Sequence, residues 1–158
     1  MKLSFSTKGW HNHTFDEFCD MAASLGYAGV EIHNIHGAMF TDRDGAFYDY
    51  AAAATLRRLY EKKLTVVCMD TVCDLGKAEN GECDMQEILS CMEIASNLHI
   101  PFIRLKASDA GSEAKNAAAI ERIAGLLDTL LPVAEEKGIT LLIETFGLFC
   151  RAETLRTL

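Results

Sequence analysis

No apolar stretch in this chain approaches the roughly 18 uninterrupted residues of a membrane span, so hydropathy gives no membrane partner. The chain opens on Met1-Lys2-Leu3-Ser4-Phe5, strand-like sequence rather than a signal peptide, and the expected compartment is the cytoplasm. Basic residues are few: 15 Lys and Arg against 23 Asp and Glu leave a net charge of -8. A surface of that sign is repelled at long range by phosphate backbones, so no nucleic-acid partner is expected. The 6 cysteines form no CxxC pair and show none of the Cys/His spacing of structural zinc. Reduced thiols are the expectation, with Cys19 and Cys91 serving as small core hydrophobes. Cys73 and Cys83 bracket a loop that a bridge could close, against the redox state of the cytoplasm.

What is present is a core-forming composition: 158 residues, 49% hydrophobic, enough for one domain over 1–158. Five short apolar runs recur: Leu3–Thr7, Ala28–His33, Leu64–Met69, Ile100–Lys106 and Thr140–Glu144. Each has strand length and a flanking turn signal. Helical segments separate them. Thr14-Phe15-Asp16-Glu17 reads as a capping box, followed by an apolar stripe of Phe15, Phe18, Met21, Ala22 and Leu25, with Gly26 as the exit. A second helix is expected over roughly Ala46 to Lys63. Asp84 is expected to cap a third, carrying Ile88, Cys91, Met92, Ala95 and Leu98. Ser112 opens a long fourth helix bearing Ile120, Ile123, Ala124, Leu127, Leu130 and Leu131 and stopped by Gly138; Pro132 within it predicts a kink or two abutting helices.

Strand alternating with helix implies parallel strands and right-handed crossovers, in a doubly wound sheet or a (β/α)8 barrel. The first strand-to-helix loop lacks GxGxxG and Walker sequences, and polar residues gather at strand carboxyl ends: Thr7, His33, Asp70, Lys106 and Glu144. The fold class expected is therefore α/β, parallel (β/α) units of a TIM barrel, incomplete, with about five of the eight strands.

Because side chains alternate, Glu31 and His33 share one strand face, Arg104 and Lys106 another, and Leu142 and Glu144 a third. If those faces point inward, one cavity receives Glu31, His33, Arg104, Lys106 and Glu144, and mixed charge signs are what such burial requires. A structural ion-pair layer would use the same residues. Glu144, directly after Leu141-Leu142-Ile143, needs a partner, and a metal ion is a natural one. His11, His13, His33 and His36 lie on the same expected rim, as weakly spaced ligands or substrate contacts. His99 falls at the opposite rim and reads as structural. Trp10 could floor a sugar site or cap the barrel mouth; Phe40 is equally ambiguous.

Phe15-x-x-Phe18-x-x-Met21-Ala22-Ala23-x-Leu25-Gly26-Tyr27-Ala28-Gly29-Val30-Glu31-Ile32 resembles the opening helix and second strand of the sugar phosphate isomerase/epimerase family, the xylose isomerase-like TIM barrels. Ala134-Glu135-Glu136-Lys137-Gly138-Ile139-Thr140-Leu141-Leu142-Ile143-Glu144-Thr145 resembles its fifth strand, and Ile103-Arg104-Leu105-Lys106 its fourth. The resemblance implies a divalent metal, Mn2+ or Mg2+ and in some branches Co2+ or Zn2+, with Glu144 as metal ligand and catalytic base. It also implies a sugar or sugar phosphate substrate, isomerised or epimerised through an enediolate, with Glu31, Arg104 and Lys106 orienting it or tuning the site; His33 and Trp10 are substrate-contact candidates by their position on the expected rim. The family's other ligands lie on later strands than this sequence holds. The chain is thus expected to be the amino-terminal portion of such a barrel, self-associating through open sheet edges. Two other readings stay open: a non-catalytic half-barrel that binds or assembles, and, disfavoured by the acidic balance, an endonuclease IV-like repair relative.

Overall fold

The computed structural model describes residues 1–10, 12–33, 43–77 and 81–158; for Val72 and residues 81–84 it describes the backbone alone. Among the described residues the fold is an incomplete parallel (β/α) barrel of five strands, as the alternation of elements requires. Its contacts group into two compact units, Met1–Val72 and Cys73–Leu158.

In the first unit β1 (Ser4–Ser6) pairs in parallel with β2 (Gly29–His33), and β2 with β3 (Thr65–Asp74), whose last residues enter the second unit. The predicted third strand ended at Met69. It runs on because Asp70 and Thr71, polar residues that read as a strand end, are completely buried within it. The register shifts between Val30 and Glu31, after which Glu31 lies beside Cys68 and His33 beside Asp70. Val30 and Ile32 are wholly buried while Glu31 and His33 are half-buried, the alternation a pleated strand imposes.

Helix α1 (Phe15–Ser24) starts at the expected capping box: Glu17 N donates to Thr14 Oγ1 at 3.2 Å, and Thr14 N donates to Glu17 Oε2 at 2.8 Å. The Thr14 amide, and after it the Thr14 hydroxyl donating to the same Oε2 at 3.1 Å, hold the Glu17 carboxyl below its usual value. Gly26 leaves the helix at φ +78°, as an unhindered left-handed exit should. The buried face is Phe18, Cys19 and Ala22, narrower than the predicted stripe, since Met21 sits on a flank and Leu25 follows the last helical residue. Burial first, and the nearby Asp16 next, push the Cys19 thiol up to about 12, so it is inert and acts as the small hydrophobe expected. Helix α2 spans Asp49–Glu61, shorter than predicted at both ends, and buries Thr55 and Leu59.

The second unit stacks α3 (Gly81–Asn97) and α4 (Glu113–Glu136) against β4 (Phe102–Lys106) and β5 (Thr140–Ile143), which pair in parallel from Phe102 beside Thr140 to Leu105 beside Ile143. Helix α3 starts at Gly81, ahead of the cap expected at Asp84. Its Ile88, Cys91, Met92 and Ala95 are all fully buried, the spacing of one helical face. Ser112 caps α4 as expected, accepting from Lys115 N, and Gly138 ends it at φ +67°. Ala119, Ile123, Leu126, Leu130 and Ala134 form its buried face; Leu131, expected there, is exposed. Pro132 lies inside this one continuous helix, whose exposed side absorbs the missing donor, so the two abutting helices allowed by the sequence do not form.

His99, at φ +56°, turns the chain from α3 toward β4. Past β5, a 3-10 turn (Gly147–Phe149) and a short helix α5 (Ala152–Leu155) finish the unit. No helix among the described residues is long and apolar enough to cross a membrane.

Candidate functional site

Polar side chains collect at the carboxyl ends of the strands in both units. In the first, Ser6 Oγ donates to Glu31 Oε1 at 2.8 Å, tying β1 to β2 on the face that carries His33. Thr7, buried just past β1, donates its backbone amide to Glu31 O at 3.0 Å and accepts His33 N on its hydroxyl at 2.8 Å. His33 Nδ1 lies 2.6 Å from Oδ2 of the completely buried Asp70. Burying a carboxylate fully costs several kcal/mol unless it is paired, so the imidazole is part of what lets Asp70 reside there.

His33 and Thr7 line a cavity of about 620 Å³ together with Trp10, Thr55 and Arg58. Trp10 meets Phe5 edge-on at 5.2 Å between ring centroids and His13 at 4.8 Å, so its indole is fixed by neighbouring rings. Arg58 is held by Asp16 of α1. His11, His36 and Phe40 lie outside the described residues.

In the second unit Glu144 follows directly on β5, its amide donating to Leu105 O at 2.8 Å, so the carboxylate is carried by the strand's final hydrogen bond. Its Oε2 stands 3.9 Å from Arg104 Nε, and both side chains are about three-quarters shielded, at 30% and 23% exposure. This is the mixed-sign pairing that partial burial of a carboxylate demands. Lys106 lies two residues along β4 from Arg104, hence on the same strand face.

Asp74, at the end of β3, belongs to a cluster the sequence did not signal. Its Oδ1 accepts Ser108 N at 2.7 Å and Gly76 N at 3.3 Å, and its Oδ2 accepts Ser108 Oγ at 2.5 Å. Burial alone would raise this carboxyl, but the Ser108 and Gly76 hydrogen bonds and the charge of Lys77 outweigh it and hold it below the ordinary value. Among the pairs in this cluster, Asp74 and Ser108 are far apart in sequence, and neither sits in a recognisable motif.

Among the described residues no three His, Cys, Asp or Glu side chains gather as a metal-holding group. Glu144 with a guanidinium beside it is a single ligand, short of a metal site. The Cys73–Cys83 bridge involves a side chain outside those described; Cys73 itself is buried.

The sequence profile described as xylose isomerase-like TIM barrel matches residues 19–158. The chain belongs to that family. Among solved structures, the probable 3-DHS dehydratase AsbF of Bacillus anthracis, involved in petrobactin synthesis, is 19% identical with a TM-score of 0.69, over 93% of this chain and 53% of that one. IOLI protein, solved with a bound zinc atom, is 14% identical with a TM-score of 0.73, over 92% and 51%. A xylose isomerase-like TIM barrel protein of Mycobacterium smegmatis, in complex with magnesium, is 14% identical with a TM-score of 0.60, over 92% and 56%. At these identities the likeness is one of fold. This chain spans about half the length of the solved relatives it matches. No curated protein matches the sequence significantly.

Proposed function

We propose that this chain contributes to the metal-dependent isomerisation or epimerisation of a sugar or sugar phosphate, as part of a sugar phosphate isomerase/epimerase. The observation that carries the reading is Glu144: a shielded carboxylate at the end of a parallel strand, with the Arg104 guanidinium 3.9 Å away. Catalytic groups of (β/α) barrels sit at strand carboxyl ends, and family membership makes a sugar the first class of substrate to consider.

Chemically, Glu144 takes the proton alpha to the substrate carbonyl. The electron pair of that C–H bond moves into the carbon framework and the carbonyl becomes an enediolate. Return of the proton to the neighbouring carbon gives the isomer, and return to the opposite face gives the epimer. In the second unit Arg104 and Lys106 are the proposed cationic hydrogen-bond donors for substrate oxygens or a phosphate; in the first, Glu31, His33 and Trp10 are proposed, separately, as contacts for hydroxyls and a sugar's apolar face. Two similar structures were solved with zinc and with magnesium, and the proposed cofactor here is a divalent metal, Mn2+ or Mg2+ before Co2+ or Zn2+. Glu144 would be its ligand from this chain. The described residues supply no complete ligand set, so no step of the reaction is assigned to the metal.

The test is turnover of a panel of ketoses and ketose phosphates by the protein with added Mn2+ or Mg2+, beside Glu144→Gln. The expected result is metal-dependent conversion that falls about 10²- to 10⁴-fold in the variant, with its thermal melt unchanged. Near-normal turnover by Glu144→Gln removes this residue from the mechanism.

A further inference from the structure

The geometry points to Asp70 as a positioning residue that sets the tautomer of His33, leaving Nε2 as a proton acceptor for a hydroxyl of a polyhydroxylated ligand. Two contacts immobilise the histidine, and a third anchors one of its partners. Its amide is held by Thr7 Oγ1 at 2.8 Å, Thr7 is anchored in turn on Glu31 O at 3.0 Å, and Nδ1 meets Asp70 Oδ2 at 2.6 Å. The register shift between Val30 and Glu31 is what brings Asp70 alongside.

Asp70 is completely buried on a strand, whereas the His33 side chain is 18% exposed and lines the 620 Å³ cavity with Thr7 and Trp10. An ionised carboxylate can only accept hydrogen bonds. Opposite such an acceptor at 2.6 Å, Nδ1 is the nitrogen that carries the hydrogen, and the uncharged tautomer this selects has its lone pair on Nε2. With Nδ1–H committed to Asp70, a proton can enter or leave this ring only at Nε2. A ligand hydroxyl that donates there transfers its proton to Nε2, its O–H bond breaking as the N–H bond forms, and recovers it when the ring reverts. Proton exchange with a substrate hydroxyl is a step that sugar isomerisation requires, so the catalytic half of this inference rests on the sugar isomerase reading.

Two measurements test it on the full chain. Long-range 15N–1H correlation of the imidazole should show His33 protonated at Nδ1 and bare at Nε2, and Asp70→Asn should abolish that preference. A wild-type ring protonated at Nε2, or a tautomer unchanged in Asp70→Asn, overturns the proposal; should that variant not fold, the wild-type spectrum alone decides. The second measurement uses His33→Asn, whose short amide retains a polar group near the Nδ1 position and lacks Nε2. Expected is a wild-type melt with kcat on the responsive ketose reduced about 10²-fold or more at little change in KM. Unchanged kcat overturns the proton-transfer role. If the wild-type protein converts no sugar while the spectrum shows the Nδ1–H tautomer, the isomerase reading fails and the positioning of His33 by Asp70 stands.

Discussion

Asp74 and Ser108 are joined twice, the carboxylate accepting the serine amide at 2.7 Å and its hydroxyl at 2.5 Å. The pair fastens the end of β3 to the residues that follow β4, and Leu75 N, donating to Lys106 O at 2.9 Å, continues the same seam. Strand ends of a barrel carry its loops, so this seam holds the segment beyond Arg104 and Lys106 in place.

Ser108→Ala removes the hydroxyl bond to a charged acceptor and should cost about 1.5 kcal/mol at neutral pH, the lower end of the range because the carboxylate is only half-buried. Asp74's carboxyl is lowered in the folded state, so its contribution is fully present above the unfolded value, about pH 4, and is lost as pH falls through the lower folded value. The difference between wild type and variant in urea denaturation should shrink correspondingly below pH 4. A difference that persists unchanged into strong acid would show that the hydroxyl does not act through the carboxylate.

Gly76 passes so close to this seam that a Cβ on it would lie 1.8 Å from Ser108 O. That neighbour is backbone and cannot swing aside. Gly76→Ala should destabilise the protein by about 3 kcal/mol, the upper range for overpacking, read from the denaturation midpoint. A variant as stable as wild type would mean the two segments separate readily.

Pro132→Ala tests the continuity of α4. Alanine restores a helical donor at an exposed position, and the gain of up to about 3 kcal/mol is offset by about 1 kcal/mol of unfolded-state entropy. A rise in stability of about 2 kcal/mol is expected by thermal or chemical denaturation. A loss would indicate that the proline ring packs productively or that the helix is bent to use it.

Local signals were the legible ones. The Thr14-x-x-Glu17 box, Ser112, Gly26 and Gly138 all stand where expected, because capping and left-handed exits involve residues within one turn of each other. Helix boundaries without such punctuation were less legible: α2 lacks a side-chain cap and α3 begins ahead of Asp84. The end of β3 was hidden by polarity, since Asp70 and Thr71 look like a loop until they are seen to be buried.

By itself the sequence determined the alternation of parallel strands and helices, the buried face of α3, and the placing of Glu144 just beyond the apolar run of β5. Periodicity and burial of apolar surface decide those, and both are read over a few neighbouring residues. Only the tertiary structure decided that His33 meets Asp70, that Arg104 reaches Glu144, and that Asp74 holds Ser108. Those pairs depend on strand register, where a slip of one residue turns every side chain to the other face, and no local pattern encodes it.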